Sequence, residues 1–135
     1  ARAFTKKRAP AYMFQFGYVP VTARERSRYG AGHGSDIAFA FNTLNARWGA
    51  PPESTAEEKE LARIMNTYWT NFAKTGNPNG KGVPNWPLYD TNKEEILDVD
   101  LDGKVQSKPD PRKARLNVIE KAFKGKREAI QSRGI

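Results

Sequence analysis

The sequence predicts an α/β fold, and three stretches carry that expectation. Residues 11–19 read as a strand with apolar side chains on both faces, which suits a covered, mostly parallel sheet. Residues 56–75 read as one long amphipathic helix. Between them lies His33, the single histidine of 135 residues, with Gly30 and Gly32 before it and Gly34 after it. Histidine is the residue type whose charge changes near neutral pH, and a bend that glycines make easily is a natural place to present one for proton transfer. The bland alternative is a loop histidine that is simply exposed or hydrogen-bonded.

The elements follow in chain order. The segment through Pro10, with Lys6-Lys7-Arg8, is polar and basic and reads as an extended approach. In the strand, Tyr12, Phe14, Phe16 and Tyr18 share one face at period two, while Met13 and Val19 lie on the other. Pro20 ends it. Residues 21–29, with Arg24, Glu25, Arg26 and Arg28, read as a solvated loop. The His loop and a short helix occupy about 29–45, with Ser35 or Asp36 as the cap. Ile37, Phe41 and Leu44 form its apolar stripe, and Phe39 falls off it. Trp48-Gly49-Ala50-Pro51-Pro52 is a turn-rich loop.

The long helix at about 56–75 has the clearest pattern. Thr55 and Glu58 stand at capping-box spacing, and Pro52 upstream fits the approach. Leu61, Ile64, Met65, Tyr68, Trp69 and Phe72 then recur at helical period. Gly76 offers a left-handed cap, and Pro78 blocks continuation. Asn77–Gly82 is a loop, and Trp86-Pro87-Leu88-Tyr89 is irregular but aromatic. A hairpin is expected at about 95–107, turning at Asp102-Gly103. Asp110 caps a terminal helix at about 111–130 that opens on Pro111. Leu116, Ile119, Phe123 and Ile130 make its apolar side, with Gly125 as a weak point.

Composition removes several function classes. The absence of cysteine excludes disulfides, thiolate metal sites and cysteine nucleophiles. A single histidine excludes a multi-histidine metal site, so neither a metal nor a cofactor is expected. Fifteen aromatic residues argue against disorder despite a mean hydropathy of −0.77. No apolar run approaches a membrane span and nothing reads as a signal peptide, so a soluble protein is expected, cytoplasmic or exported. The chain starts Ala1-Arg2-Ala3 without an initiator Met and is read as a processed product or a segment of a longer gene.

The net charge of +8 is uneven. Residues 1–30 carry seven basic and one acidic side chain, 31–103 six and eleven, and 104–135 ten and three. A basic nucleic-acid binder is conceivable on charge alone, yet no recognition motif accompanies it, and no nucleic-acid partner is expected. The basic side chains of the terminal helix, Arg112, Lys113, Arg115, Lys121, Lys124, Lys126 and Arg127, read as a solvated face.

The remaining motifs are weak. Gly30-x-Gly32-x-Gly34 lacks the third glycine of a dinucleotide fingerprint at the required offset, and no Gly-Lys-Ser/Thr is present. Asp98, Asp100 and Asp102 lack the downstream glutamate of a calcium loop and read as the solvated face of a strand. Ser35 does not sit in Gly-x-Ser-x-Gly and reads as a cap.

A strand, a loop, a histidine at a glycine bend and then a helix is how an α/β-hydrolase presents its general base. In that fold the triad runs Ser, then Asp or Glu, then His along the chain. A chain holding only the last portion carries the base and neither partner.

The residues carry a further resemblance. Ala11-Tyr12-Met13-Phe14-Gln15-Phe16 is similar to the strand before the catalytic histidine of type B carboxylesterases, the family of the cholinesterases and bacterial para-nitrobenzyl esterases. Gly32-His33-Gly34-Ser35-Asp36-Ile37-Ala38-Phe39-Ala40-Phe41 resembles the family's His-Gly-x-Asp/Glu-x-x-Phe-x-Phe block. The most specific match is Tyr68–Asn79, ending Thr75-Gly76-Asn77-Pro78-Asn79, followed by Trp86-Pro87-Leu88-Tyr89. The resemblance runs from about Ala11 to Phe123 and implies the C-terminal part of a single α/β-hydrolase domain, incomplete alone.

It implies that His33 is the general acid/base of a Ser-His-Glu/Asp triad acting on a small-molecule carboxylic ester. The serine elbow, oxyanion stretch and triad acid would then lie on the rest of the same polypeptide, the direct partner. Asp36 matches an acidic position of the motif but reads as a cap or brace, not as the triad acid. Phe39 and Phe41 would pack beside the site as substrate-contacting residues. The isolated chain is expected to be inactive. A non-catalytic α/β-hydrolase-like interaction module is the alternative.

Overall fold

Alternate aromatic residues on a short extended segment need a flat apolar partner, and the wide stripe of a 20-residue helix provides one. The computed structural model describes residues 9–46 and 53–131, without the side chains of 127–131. The sequence expectations for Lys6–Arg8, for Trp48–Pro52 and for the Arg127 and Ile130 side chains lie outside these described residues. The chain runs through strand β1 (Phe14–Phe16), a 3₁₀ turn at Val21–Arg26 and a short helix α1 (Ile37–Ala40). After a second 3₁₀ turn at Leu44–Ala46 come helix α2 (Ala56–Thr75), strands β2 (Glu95–Val99) and β3 (Val105–Pro109), and helix α3 (Lys113–Gln131).

The strands form one sheet in the order β1-β2-β3. β1 and β2 are parallel, with Phe14 opposite Leu97 and Phe16 opposite Val99. β2 and β3 are an antiparallel hairpin, so the three described strands make a mixed sheet with one parallel pair. A parallel pair cannot be joined by a tight turn. The connection from β1 to β2 must therefore cross over the sheet, and it carries His33, α1 and α2.

Regular pairing in β1 is shorter than the aromatic alternation. At one end Tyr12 bridges to Leu88 instead of to β2. At the other, the Gly17 N–H donates to Val99 O at 2.7 Å, and a Cβ on Gly17 would lie 2.9 Å from that oxygen. Only a glycine tolerates that approach.

α2 matches its expected span because its termini are set locally. The Thr55 hydroxyl accepts from Glu58 N at 3.1 Å and the Glu58 carboxylate accepts from Thr55 N at 3.0 Å. Gly76 closes the helix in the left-handed conformation at φ 73°. The helix lays Leu61, Met65 and Tyr68 on the sheet's Leu97/Val99 face, with Trp86 completing the buried cluster. Rings meet edge to face across this layer: Phe14 with Trp69 at 5.0 Å and Tyr68 with Trp86 at 5.2 Å. Trp86 is fixed by an amide clasp, since Asn79 donates to Trp86 O at 2.9 Å and accepts from Trp86 N at 2.7 Å. Its indole N–H donates to Met13 O at 2.9 Å, tying the irregular segment to β1.

Three expectations are corrected. α1 is a single turn that turns Ala38, Phe39 and Ala40 inward and leaves Ile37 and Phe41 exposed, the reverse of the expected Ile37/Phe41/Leu44 stripe. Phe39 is drawn in by Phe16 and Tyr18, at 5.2 and 5.4 Å, and Asn66 Nδ2 holds the turn by donating to Ala40 O. Neither Ser35 nor Asp36 caps it through a side chain: the Ser35 hydroxyl donates to Gly32 O, and Asp36 makes no cap bond.

Asp98 is only 3% exposed, so it is not on a solvated face with Asp100 and Asp102. It is paired with Lys108 of β3 at 2.6 Å, because a central strand buries both faces and its carboxylate needs a cation there. The third correction concerns α3. It begins at Lys113, not at Pro111: Asp110 accepts from Arg112 N at 2.9 Å in the turn before the helix, and the Leu116/Ile119/Phe123 stripe is open to solvent among the described residues. Among the described residues no helix is long and apolar enough to cross a membrane.

Two buried tyrosines shape the alkaline response. Burial, then the facing Glu58 carboxylate, pushes the Tyr18 phenol up to about 12. Burial alone raises Tyr68 to about 12, with its hydroxyl donating to Pro84 O at 2.7 Å. Both phenols keep their protons in the folded chain above the ordinary pKa of 10, where the unfolded chain loses them. Their contribution is complete below about pH 10 and is lost as pH rises through about 12. Urea unfolding across that window is expected to show falling stability, with a shallower fall in Tyr68→Phe. At neutral pH, Thr55→Ala is expected to lower unfolding free energy by ~1 kcal/mol through loss of the cap.

Candidate active site

The site is built from the carboxyl end of β1. Past Phe16 the chain reaches Tyr18, Val19 and Pro20, and the 3₁₀ turn at Val21–Arg26 folds it back. The Gly30 N–H donates to Ser27 O at 2.9 Å, with Gly30 at φ 86°, so the loop closes a tight turn before His33. His33 stands at the apex of the next bend. Gly32 O accepts from both the Ser35 N–H at 3.2 Å and the Ser35 hydroxyl at 2.8 Å. Gly34, at φ 74°, sends the chain into α1, and its O accepts from Ile37 N at 3.1 Å. A side chain at Gly34 would meet Ile37 Cδ1 at 3.3 Å in a conformation L-residues resist.

His33 is exposed and lines an open cleft of about 440 Å³ with Tyr18, Pro20, Ala23, Ser27 and Phe39. No hydrogen bond to its ring is made by the described residues. Phe39, 1% exposed, forms a wall of this cleft. Phe41 does not share it: at 69% exposure it projects from the C-cap of α1. The expected Phe39/Phe41 pair is thus divided, because residues two apart on a single helical turn face opposite ways. Ser35 lies in the same cleft, with its hydroxyl donated to Gly32 O. Among the described residues no cluster of three His, Cys, Asp or Glu side chains suits a metal.

Arg24, read from sequence as part of a solvated loop, is what fixes this region. Its Nη2 donates to Asp102 Oδ1 at 2.7 Å and to Leu101 O at 3.1 Å, and its Nε donates to Val19 O at 3.2 Å. One guanidinium thus joins the turn after β1 to the β2–β3 turn, a use of its planar fork that a lysine cannot copy. Spacing gave no sign of it, since Asp102 is 78 positions away.

Residues 1–118 match the carboxylesterase family. The chain belongs to that family. It is 37% identical over 99 residues to mouse pyrethroid hydrolase Ces2a, an alignment covering 72% of this chain and 17% of that protein. With human cocaine esterase it shares 38% identity over 100 residues, covering 73% of this chain and 17% of the relative. Among solved structures, a PNB esterase superposes with a TM-score of 0.67 at 28% identity, covering 83% of this chain and 22% of that one. The Geobacillus stearothermophilus carboxylesterase EST55 gives 0.64 at 26% identity, covering 82% and 22%. The strand, His loop, helices and hairpin are therefore a portion of an α/β-hydrolase fold, and the chain spans about a fifth of the length of these carboxylesterases.

Removing the Arg24 clamp is expected to loosen the cleft locally. In Arg24→Ala, amide hydrogen exchange across residues 20–30 should accelerate about tenfold while α2 keeps its protection, the loss of roughly 1 kcal/mol of hydrogen bonding. Arg24→Lys should fall between the two.

Proposed function

We propose that this chain is the histidine-bearing portion of a serine carboxylesterase, with His33 as its general acid/base. The observation that supports this most is the presentation of His33. It stands exposed on a glycine bend beyond the carboxyl end of β1, facing a cleft, in a family whose members are named for ester hydrolysis. The crevice outside the carboxyl ends of the strands is where α/β folds bind ligands.

In this role the imidazole takes the hydroxyl proton of a serine as that oxygen attacks the ester carbonyl. It returns the proton to the leaving alcohol, then draws one from the attacking water and passes it to the serine oxygen as the acid is released. An exposed ring with no partner among the described residues has room for a serine on one nitrogen and a carboxylate on the other. The serine, oxyanion donors and acid belong to the rest of the polypeptide, the chain's direct partner. Phe39 supplies an apolar wall of the cleft that would hold the ester. Phe41 and Asp36 are assigned no role.

In the complete polypeptide, His33→Ala is expected to lower kcat/KM for a p-nitrophenyl ester about 10²–10⁴-fold, the usual share of a positioned acid/base. The 135-residue chain alone should give no burst, because a base without nucleophile and oxyanion donors has nothing to activate. A burst from the isolated chain that disappears in His33→Ala overturns the reading, as does full activity of the complete His33→Ala protein.

A further inference from the structure

The terminal helix is the largest feature that the site does not use. Every described side chain on α3, from Lys113 to Lys126, is exposed. Leu116, Ile119 and Phe123 recur at the three- and four-residue steps of one helical face, at 44%, 42% and 60% exposure. Arg115 and Lys126 border that stripe on the Ile119 side, and Lys124 lies beyond Glu120 on the other. Five of the described side chains on α3 are basic and one is acidic. Asp110 and the Lys113–Glu94 ion pair at 2.8 Å hold the first turn against the body, so the helix is anchored at one end. The family match stops at residue 118, within this helix.

We propose that α3 lies on an anionic phospholipid bilayer, with the Leu116/Ile119/Phe123 stripe among the outer acyl chains. Arg115, Lys124 and Lys126 would lie along the stripe with their heads at the phosphates. An apolar stripe edged by long cationic side chains is the pattern of an interfacial helix, since the stems bury while the charges stay hydrated and paired. Anionic lipid supplies counter-charge along the stripe, where the bordering cations Arg115, Lys124 and Lys126 outnumber Glu120. A second copy brings like charges together, and nucleic acid leaves the apolar stripe without a partner. This proposal concerns where the chain resides and holds whether or not His33 is catalytic.

The test is sedimentation of the complete polypeptide with phosphatidylcholine vesicles, with and without phosphatidylglycerol, at low and high salt. The expected result is binding to the anionic vesicles only, weakened by salt and weakened about tenfold or more by Phe123→Glu. Lys126→Glu should weaken it on anionic vesicles as well. Val118→Ser, on a different face of the helix, should leave it unchanged. Helix content by circular dichroism checks that each variant keeps its fold. Equal binding to neutral vesicles, no binding, or binding indifferent to Phe123→Glu overturns the proposal. The last result would mark bare charge attraction, the behaviour of a nucleic-acid binder.

Discussion

The parallel pairing of β1 with β2 is the constraint on which the rest depends. Two neighbouring strands that run the same way force the chain between them to leave one end of the sheet and return at the other. That return path contains the 3₁₀ turn, the His bend, α1 and α2, so one pairing decides both what covers the sheet and what stands at the strand end. Its register is held at the carboxyl end by the Gly17 N–H on Val99 O, where no larger residue fits. The aromatic side chains of β1 then meet α2 and Trp86, and Met13 O accepts both the Leu97 N–H and the Trp86 indole.

The His bend is precise because it is held from several directions by short-range bonds. Gly32 O takes two donors from Ser35, and Gly34 adopts a conformation other residues avoid. Arg24 spans from the turn after β1 to the hairpin turn, while Phe39 anchors α1 against Phe16 and Tyr18. Tyr18 joins the cleft to the start of α2, donating to Glu58, the residue that also caps that helix. A rigid bend matters for a proton-transferring side chain, because a misplacement of about 1 Å costs roughly 10²-fold in rate.

What sequence reading reached follows the range of the forces involved. α2 was legible because its cap, stripe and stop are all local: Thr55 with Glu58, the Leu61-to-Phe72 period, and Gly76 with Pro78. The hairpin was legible for the same reason, although it runs two residues further than its turn residues indicated. α1 was misread because four residues hold too little periodicity to decide which face is inward, and the decision came from Phe16 and Tyr18. Asp98 was misread because alternation reports one covered face, whereas β2 has two, and Lys108 completes its pair from the neighbouring strand. Around His33, the glycines marked the bend. The clamp by Arg24 and the division between Phe39 and Phe41 needed contacts between distant positions.

The central claim is that the exposed imidazole of His33 supplies the base of an ester-hydrolysing site. The most direct measurement is chemical rescue: the complete polypeptide carrying His33→Ala, its acylation burst followed with a p-nitrophenyl ester while free imidazole is added. The cleft is open enough to admit that small base in place of the missing ring. The account predicts a burst rate that rises with imidazole concentration toward saturation. A variant that acylates as fast without imidazole as with it would contradict the account.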